Sequence, residues 1–312
     1  MKLDQINTVA IVGAGMMGHG IAQVFATAGY EVILQSRKKE TLDKALTGIE
    51  SNFKFLMEND LIKQDEIERA MQKIETTQDL EEAAEKAQFI VESVAEDMDV
   101  KQEVFKKLDA SSHEDTILAT NTSVMSVTEI ASKSEKRQRI IGTHFWNPPY
   151  LIPLVEVVRA EDSSDEAMDV TMELLTSVGK HPVYVKKDVP GFVANRLQHA
   201  LWREAISIVE NGIADAKTVD ECIKTGFGLR LPVLAPLENA DLVGLDLTYA
   251  IHNYILRHLD SSPEPSKILI EKMNKNELGV KSGKGFYDWP GDKGEQLKKN
   301  MLGYLSKYYK KP

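Results

Sequence analysis

A histidine and a glutamate twelve residues apart are the side chains of this sequence best suited to move a proton. His144 ends the β-type run Arg139–His144, and Glu156 interrupts the apolar run Leu154–Val158. A carboxylate among valines and leucines is costly to bury unless it is paired. A strand–loop–strand arrangement would place Glu156 against His144 and orient the imidazole for proton removal from an alcohol. The alternative is a hydrogen-bonded core histidine with an unrelated edge glutamate, and spacing alone leaves both open.

A glycine-rich turn near the N-terminus has the pattern G-x-G-x-x-G, typical of dinucleotide binding. It follows the strand-like run Thr8–Val12 and opens a helical stretch, whose first N–H groups are suited to bind phosphate. The first glycine permits the tight turn, the second lets the backbone approach a pyrophosphate, and the third lets helix pack on strand. The alternative is a merely tight turn, and the context favours the cofactor. The predicted cofactor residues here are Gly13, Gly15, Met16, Met17 and Gly18.

The end of the second predicted strand, Glu31–Gln35, bears on which dinucleotide binds. An acid usually stands there for the adenine ribose 2′-hydroxyl, but this chain has Ser36 followed by Arg37. An arginine accommodates a 2′-phosphate, so one hypothesis is that NADP is accepted. The other is that Arg37 stacks on adenine or faces solvent while NAD binds beside Ser36. We therefore predict NAD or NADP, with the choice open.

Two further polar positions lie where a ligand is expected. Ser123 closes the segment Thr120–Ser123, which follows another predicted strand at the edge where doubly wound sheets bind ligands. Asn195 lies at the start of a helical stretch, after Pro190–Gly191. It is either an N-cap or early-turn residue, or a hydrogen-bond donor to a substrate carbonyl.

Short β-type runs alternate with helical stretches over the first half of the chain, which predicts βαβ units and a mostly parallel sheet. Two charged amphipathic stretches, Lys39–Asn59 and Gln64–Ile74, are too long for a simple crossover. We predict that they form a helical hairpin that projects from the sheet as an arm.

The pattern becomes helical after Lys186–Gly191, with one predicted helix over Asp241–His258. This change predicts two domains in an α/β fold. Residues 1–187 would form a Rossmann dinucleotide-binding domain with the helical arm. Residues 188–312 would form an all-α domain that contacts the substrate.

Composition excludes several classes of protein. The 312 residues carry 38 Lys and Arg against 48 Asp and Glu, a net charge of −10, which argues against nucleic acid or an anionic membrane as a partner. The single cysteine, Cys222, excludes a disulfide framework and a cysteine-rich metal site. No apolar run approaches the roughly 20 residues of a membrane helix. We expect a cytoplasmic protein without a metal.

The motifs together resemble those of the L-3-hydroxyacyl-CoA dehydrogenases over essentially the whole chain. The matching stretches are Gly13–Gly18, Val91–Asp97, Thr120–Ser123, His144–Pro148, Leu154–Val158, Pro190–Leu197 and Lys281–Tyr287. The resemblance implies an oxidoreductase of fatty acid metabolism that interconverts a short-chain 3-hydroxyacyl-CoA and a 3-ketoacyl-CoA with NAD(P). It also implies a homodimer formed by the helical domain.

The same resemblance implies a role for each site residue. His144 would be the general base, Glu156 its partner, and Glu96 a contact on the nicotinamide side of the cofactor. Three more residues would hold the substrate and the base in place: Ser123, Asn147 and Asn195.

Some stretches depart toward lambda-crystallin-type and carnitine-type dehydrogenases, which oxidise free hydroxy acids. Phe145–Pro153 and Gly226–Arg230 share that character. Arg230 would either bind a substrate carboxylate or form a structural ion pair. Val243–Asp246 instead resembles the acyl-CoA branch. The predicted substrate is an acyl-CoA, with a small free hydroxy acid as the alternative and a non-catalytic dinucleotide-binding protein as a third possibility.

Overall fold

The eight strands of the described chain form one mostly parallel sheet with a single antiparallel pairing. The computed structural model describes residues 1–309. Residues 310–312, which belong to the predicted second domain, lie outside the described residues. Within 1–309 the strands are Thr8–Val12 (β1), Glu31–Gln35 (β2), Ile74–Thr77 (β3), Phe89–Glu92 (β4), Ile117–Thr120 (β5), Ile140–Phe145 (β6), Leu154–Val158 (β7) and His181–Val185 (β8). Their order is β3-β2-β1-β4-β5-β6-β7-β8, and β6 and β7 are antiparallel.

The sheet buries apolar side chains on both faces. Along β1, Val9 and Ile11 belong to one core cluster, whereas Ala10 and Val12 belong to the other. Successive side chains of a strand point to opposite faces, so two packed faces require an uninterrupted apolar run. The apolar sequence of β1 is therefore the sequence of a central strand.

Helices cover both faces of this sheet. They are Met16–Thr27 (α1), Lys39–Glu58 (α2), Gln64–Gln72 (α3), Leu80–Lys86 (α4), Met98–Ser111 (α5), Val127–Ile130 (α6) and Asp165–Ser177 (α7). The predicted fold class, a Rossmann-like α/β domain followed by a helical one, is confirmed.

The helical hairpin α2–α3 connects β2 to β3. Apolar residues of α2 recur every three or four positions, from Leu42 through Ile49 to Leu56, and are buried in the first core cluster. Such spacing lines one face of a helix. The arm therefore packs on the core over most of its length and contacts α1.

Strand β3 was not expected from the sequence, and the predicted helical stretch Gln64–Ile74 is wrong at its end. Ile74 pairs with Val32 in the edge strand β3. That strand contains Glu75 and is only partly buried. A short, half-exposed edge strand lacks the apolar run by which a central strand is recognised.

The helical part of the chain comprises Ala194–Glu210 (α8), Ala216–Thr225 (α9), Pro236–Val243 (α10), Leu245–Ile255 (α11), Lys267–Asn274 (α12) and Lys293–Tyr309 (α13). The predicted single helix Asp241–His258 is wrong, because the chain breaks at Gly244 with a φ of 99°. The backbone N–H of Gly244 bonds to the carbonyl oxygen of Asp241 and ends α10.

The chain divides into two compact units. One contains residues 1–196 and 301–312, of which 310–312 are not described, and the other contains Leu197–Asn300. In the first, Leu302 and Leu305 of α13 pack against the first core cluster. Of residues 197–300, all of which the structure describes, only Val219 is buried.

Candidate active site

The predicted site residues of the first unit cluster at the carboxyl edge of the parallel strands. Strands β1, β4, β5 and β6 run in the same direction and end at this edge. The strand order reverses beside β1, with β2 on one side and β4 on the other. Open α/β sheets bind ligands in the crevice that such a reversal creates.

His144 and Glu156 are directly bonded. They are register partners on the antiparallel strands β6 and β7, and the His144 Nδ1 to Glu156 Oε2 distance is 2.7 Å. His144 is 5% exposed and Glu156 is fully buried. The strand–loop–strand arrangement expected from the sequence therefore brings the two side chains together.

The backbone at the start of α8 fixes the other oxygen of Glu156. Oε1 accepts hydrogen bonds of 2.9 Å from the N–H groups of Val193 and Ala194. Burial alone would raise the pKa of Glu156, but hydrogen bonds from His144 and from these two N–H groups outweigh it and lower the pKa. An ionised carboxylate only accepts, so His144 Nδ1 is assigned as the donor, which in a neutral imidazole makes Nε2 the proton acceptor.

Aromatic rings pack around the His144 imidazole. The ring centroids of Trp146 and Phe192 lie 5.3 and 5.9 Å from that of His144. Trp146 Nε1 also donates to Glu156 Oε2 at 3.4 Å. Phe192 has a φ of 48°, a left-handed conformation that costs a non-glycine residue about 1 kcal/mol or more. The surrounding contacts therefore hold Phe192 in a strained conformation beside the imidazole.

Ser123 and Asn195 also meet. The buried Asn195 side chain donates from Nδ2 to the carbonyl oxygen of Ser123 at 2.9 Å. Asn195 is the second residue of α8 and not its cap. The Ser123 side chain is exposed, and within residues 1–309 its hydroxyl has no hydrogen bond. That hydroxyl is available to a ligand.

Glu96 holds the Ser123 segment from the other side. Its Oε1 accepts from Thr122 Oγ1 at 2.5 Å and from the Ser123 N–H at 3.0 Å. Burial would raise the pKa of Glu96, yet the bond from Thr122 and the nearby Lys101 ammonium lower it. Glu96 is therefore an ionised residue that positions the loop after β5.

Next to this loop lies a buried ion pair that the sequence patterns did not indicate. Lys101 Nζ lies 2.8 Å from Glu92 Oε1 and 3.3 Å from Glu96 Oε2. Glu92 also accepts from Thr120 Oγ1 at 2.7 Å. Glu92 ends an apolar strand, the same signal that singled out Glu156. A buried carboxylate in an apolar run requires a partner.

The glycine turn fits a dinucleotide. Gly13 has a φ of 104°, and a Cβ there would lie 2.4 Å from the carbonyl oxygen of Ser93. A Cβ on Gly18 would lie 1.8 Å from the carbonyl oxygen of Gly13. A Cβ on Gly15 would meet nothing within 4 Å. The fold thus requires the first and third glycines, whereas the second keeps open the space in which a pyrophosphate binds.

The remaining predicted site residues make fewer contacts with the His144–Glu156 pair. Met16, 66% exposed, begins α1, and the half-buried Met17 follows it. Asn147 is exposed, and its Nδ2 lies 3.9 Å from Met16 Sδ. It therefore contacts the glycine turn and makes no hydrogen bond to His144 within the part of the chain described.

Ser36 and Arg37 follow β2 beside the glycine turn, since the Gly13 N–H donates to the Gln35 carbonyl at 2.9 Å. Ser36 is half-buried and Arg37 exposed. Arg230 belongs to the other compact unit, where it is exposed and follows a short 3-10 helix.

Residues 1–309 contain neither a membrane-spanning helix nor a cluster of metal ligands. No helix there is long and apolar enough to cross a bilayer. No three His, Cys, Asp or Glu side chains there are grouped so as to hold a metal ion.

The sheet order and the glycine turn together define a dinucleotide-binding protein of the Rossmann type. Residues 8–189 match the family model for the NAD binding domain of 3-hydroxyacyl-CoA dehydrogenase, and residues 191–289 match its C-terminal domain. The chain belongs to the 3-hydroxyacyl-CoA dehydrogenase family, as the sequence resemblance implied.

Relatives span nearly the whole chain. A 3-hydroxybutyryl-CoA dehydrogenase of Clostridioides difficile is 38% identical, covering 90% of this chain and 99% of its own. A probable 3-hydroxybutyryl-CoA dehydrogenase of Bacillus subtilis is 39% identical, covering 91% and 98%. The crystal structure of 5-formyl-3-hydroxy-2-methylpyridine 4-carboxylic acid 5-dehydrogenase, an NAD⁺-dependent dismutase, has a TM-score of 0.90 at 29% identity, covering 97% of both chains.

Proposed function

We propose that this protein oxidises a short-chain L-3-hydroxyacyl-CoA to the 3-ketoacyl-CoA and catalyses the reverse reduction. The observation that carries the proposal is the 2.7 Å bond between His144 and Glu156 at the ligand-binding edge. The relatives whose names specify 3-hydroxybutyryl-CoA support the substrate class.

In this proposal His144 Nε2 takes the proton of the 3-hydroxyl group while Glu156 stabilises the resulting imidazolium. A nicotinamide dinucleotide, held at the glycine turn by Gly13, Gly15 and Gly18, would supply the acceptor for the hydride that leaves C3. Ser123 donates a hydrogen bond to the substrate oxygen. Asn147 and Asn195 hold substrate and base in place, and Glu96 fixes the loop on the nicotinamide side.

A substrate panel tests the proposal. Purified protein is assayed with acetoacetyl-CoA and with free 3-hydroxybutyrate, carnitine and gulonate, each with both nicotinamide cofactors. We expect turnover of acetoacetyl-CoA. Activity on free acids alone would overturn the assignment, and its loss in Arg230→Ala would then identify Arg230 as the carboxylate-binding residue. If the protein binds nucleotide but turns over none of these substrates, the result would support a non-catalytic binding protein.

We further propose that residues 188–312 form a substrate and dimerisation domain, with 1–187 binding the nucleotide, and that two copies associate through the helical part. Supporting this, apolar residues of α10 and α11 are highly exposed, among them Leu242 at 72% and Tyr249 at 73%. Large exposed apolar patches mark association sites. Sedimentation analysis should give a dimer, and Tyr249→Asp should dissociate it while the exposed-site control Lys217→Asp should not.

We place the protein in the cytoplasm. The exposed, unpaired Cys222 supports a reducing compartment. Localisation of a tagged chain tests this placement, and an organellar or secreted location would contradict it.

A further inference from the structure

We infer that the cofactor site selects NADP(H) over NAD(H), with Arg37 and Ser36 binding the 2′-phosphate of the adenosine. The inference concerns the nucleotide alone and does not depend on the proposed substrate. It starts from the position of β2, whose last carbonyl, that of Gln35, accepts from the Gly13 N–H at 2.9 Å. Ser36 and Arg37 are thus the first residues beyond the strand that flanks the phosphate-binding turn, where the adenosine ribose of a Rossmann cofactor lies.

Ser36 is compatible with a 2′-phosphate where an acid is not. NAD-selective sites present a carboxylate that accepts from the ribose hydroxyls and repels a phosphate. Here the side chain is a neutral hydroxyl, half-buried at the end of β2. Within residues 1–309 that hydroxyl makes no hydrogen bond, so it is available to donate to phosphate oxygen.

The backbone of this corner is fixed, but the Arg37 guanidinium is unengaged. Gln78 Nε2 donates to the Arg37 carbonyl at 3.0 Å, and Gln35 Nε2 donates to the Gln78 carbonyl at 3.2 Å. No hydrogen bond or ion pair involves the Arg37 side chain in the described chain, and the side chain is exposed. An unpaired guanidinium on a fixed backbone is suited to bidentate recognition of phosphate.

Some acids of the flanking elements are engaged elsewhere, whereas the exposed Glu40 in the first turn of α2 has no ion-pair partner among residues 1–309. In α2, Asp43 pairs with Lys39 at 2.8 Å. After β3, Asp79 caps α4 by accepting from two backbone N–H groups, and Glu82 bonds to Thr77 and Lys86. Residues 37–43 carry Arg37, Lys38 and Lys39 against Glu40 and Asp43, so they give a weak local positive field in a chain whose net charge is −10. This field attracts a dianionic phosphate.

Calorimetric titration with nucleotide fragments tests the inference on the intact protein. The probes are 2′,5′-ADP and 5′-AMP, which differ by the 2′-phosphate. Wild type should bind 2′,5′-ADP roughly 10-fold or more tighter, the effect of charge-assisted hydrogen bonds. Arg37→Ala should remove most of that preference and leave 5′-AMP binding unchanged. Lys44→Ala, the same charge change in the second turn of α2, should keep it.

A second variant reverses the selectivity. Ser36→Asp should weaken 2′,5′-ADP binding by roughly 10-fold or more through repulsion, and should strengthen 5′-AMP binding. Equal affinity of wild type for the two fragments would overturn the inference, as would an Arg37→Ala variant indistinguishable from Lys44→Ala. In either case Arg37 would stack on adenine or face solvent while NAD binds.

These binding results are separable from the proposed reaction. If acetoacetyl-CoA is reduced with NADH alone, the proposed function stands and this inference fails. If 2′,5′-ADP binds selectively and no acyl-CoA reacts, this inference stands and the proposed function fails.

Discussion

Two buried carboxylates at the same edge of the sheet have different roles. One belongs to a structural ion pair, and the other belongs to a pair suited to proton transfer. Glu156 and Glu92 are both fully buried and each bonds to one basic side chain; Glu156 also accepts from two backbone N–H groups and Glu92 from one, that of Val94. The partner of Glu92 is the ammonium of Lys101, which is 1% exposed. The partner of Glu156 is an imidazole, the side-chain type that exchanges protons near neutral pH. The partner, more than the carboxylate, therefore distinguishes a structural pair from a chemical one.

Removing the imidazole should have the largest effect. His144→Ala deletes the proposed base, so kcat should fall roughly 100- to 10,000-fold, while nucleotide affinity measured by calorimetry stays near that of wild type. His113→Ala, which removes an exposed histidine, is the matched control. Retained turnover in His144→Ala would refute the base assignment.

Breaking the structural pair should mainly affect stability. Lys101→Met leaves Glu92 and Glu96 without their shared cation, so the free energy of unfolding should fall by about 3–5 kcal/mol. Urea denaturation measures the change. Lys107→Met, at an exposed position of the same helix α5, should stay within about 0.5 kcal/mol of wild type. Equal stability of the two variants would show that the pair is dispensable.

Glu156→Gln tests the chemical pair without removing it. The Val193 and Ala194 N–H groups require the amide oxygen, which turns the NH₂ group toward His144 Nδ1. The imidazole must then carry its proton on Nε2 and cannot accept one, so kcat should fall roughly 100-fold. Glu161→Gln, an exposed change just after β7, is the control. An unchanged pH profile of kcat would contradict the pairing.

The smallest expected effect concerns Lys180, a buried cation that has no carboxylate partner among residues 1–309. Its ammonium donates to the carbonyl oxygens of Pro149 and Ile152. Burial lowers the pKa of Lys180 from 10.5 to about 8. Between those values the unfolded chain binds a proton that the folded chain has released, so the stability of the folded state rises with pH.

Accordingly, from pH 7 to pH 10 wild type should gain about 2 kcal/mol of unfolding free energy relative to Lys180→Met. Urea titrations at both pH values measure this difference. Lys186→Met, at an exposed position, should show no such trend. A pH-independent difference would mean that Lys180 keeps its proton over this range.

The sequence predicts the fold where apolar patterning and turn chemistry agree. Strand β1 and the glycine turn are predictable because both are local. The edge strand β3 is not, since its residues are half-exposed and include Glu75. The break at Gly244 is also hidden, because an isolated glycine within a helical pattern does not reveal its φ.

In the candidate site, the twelve-residue spacing predicts that the side chains of His144 and Glu156 lie together, because their strands form a short antiparallel pair. It does not predict the N–H donors of Val193 and Ala194, which lie 37 and 38 residues beyond Glu156. Contacts made by backbone groups leave no signature in residue type. That Glu92 has a partner is predictable in principle, because a carboxylate at the end of an apolar strand requires one, but its residue type does not identify Lys101.

The three glycines of the turn are needed for different physical reasons. Gly13 and Gly18 are required by atoms of the chain itself, whereas Gly15 faces open space. A related protein that no longer binds nucleotide but keeps the fold would still need the first and third glycines. It could carry another residue in place of the second. Gly15→Ala therefore offers a folded, nucleotide-deficient chain, in which structural roles of the protein are separated from its redox chemistry.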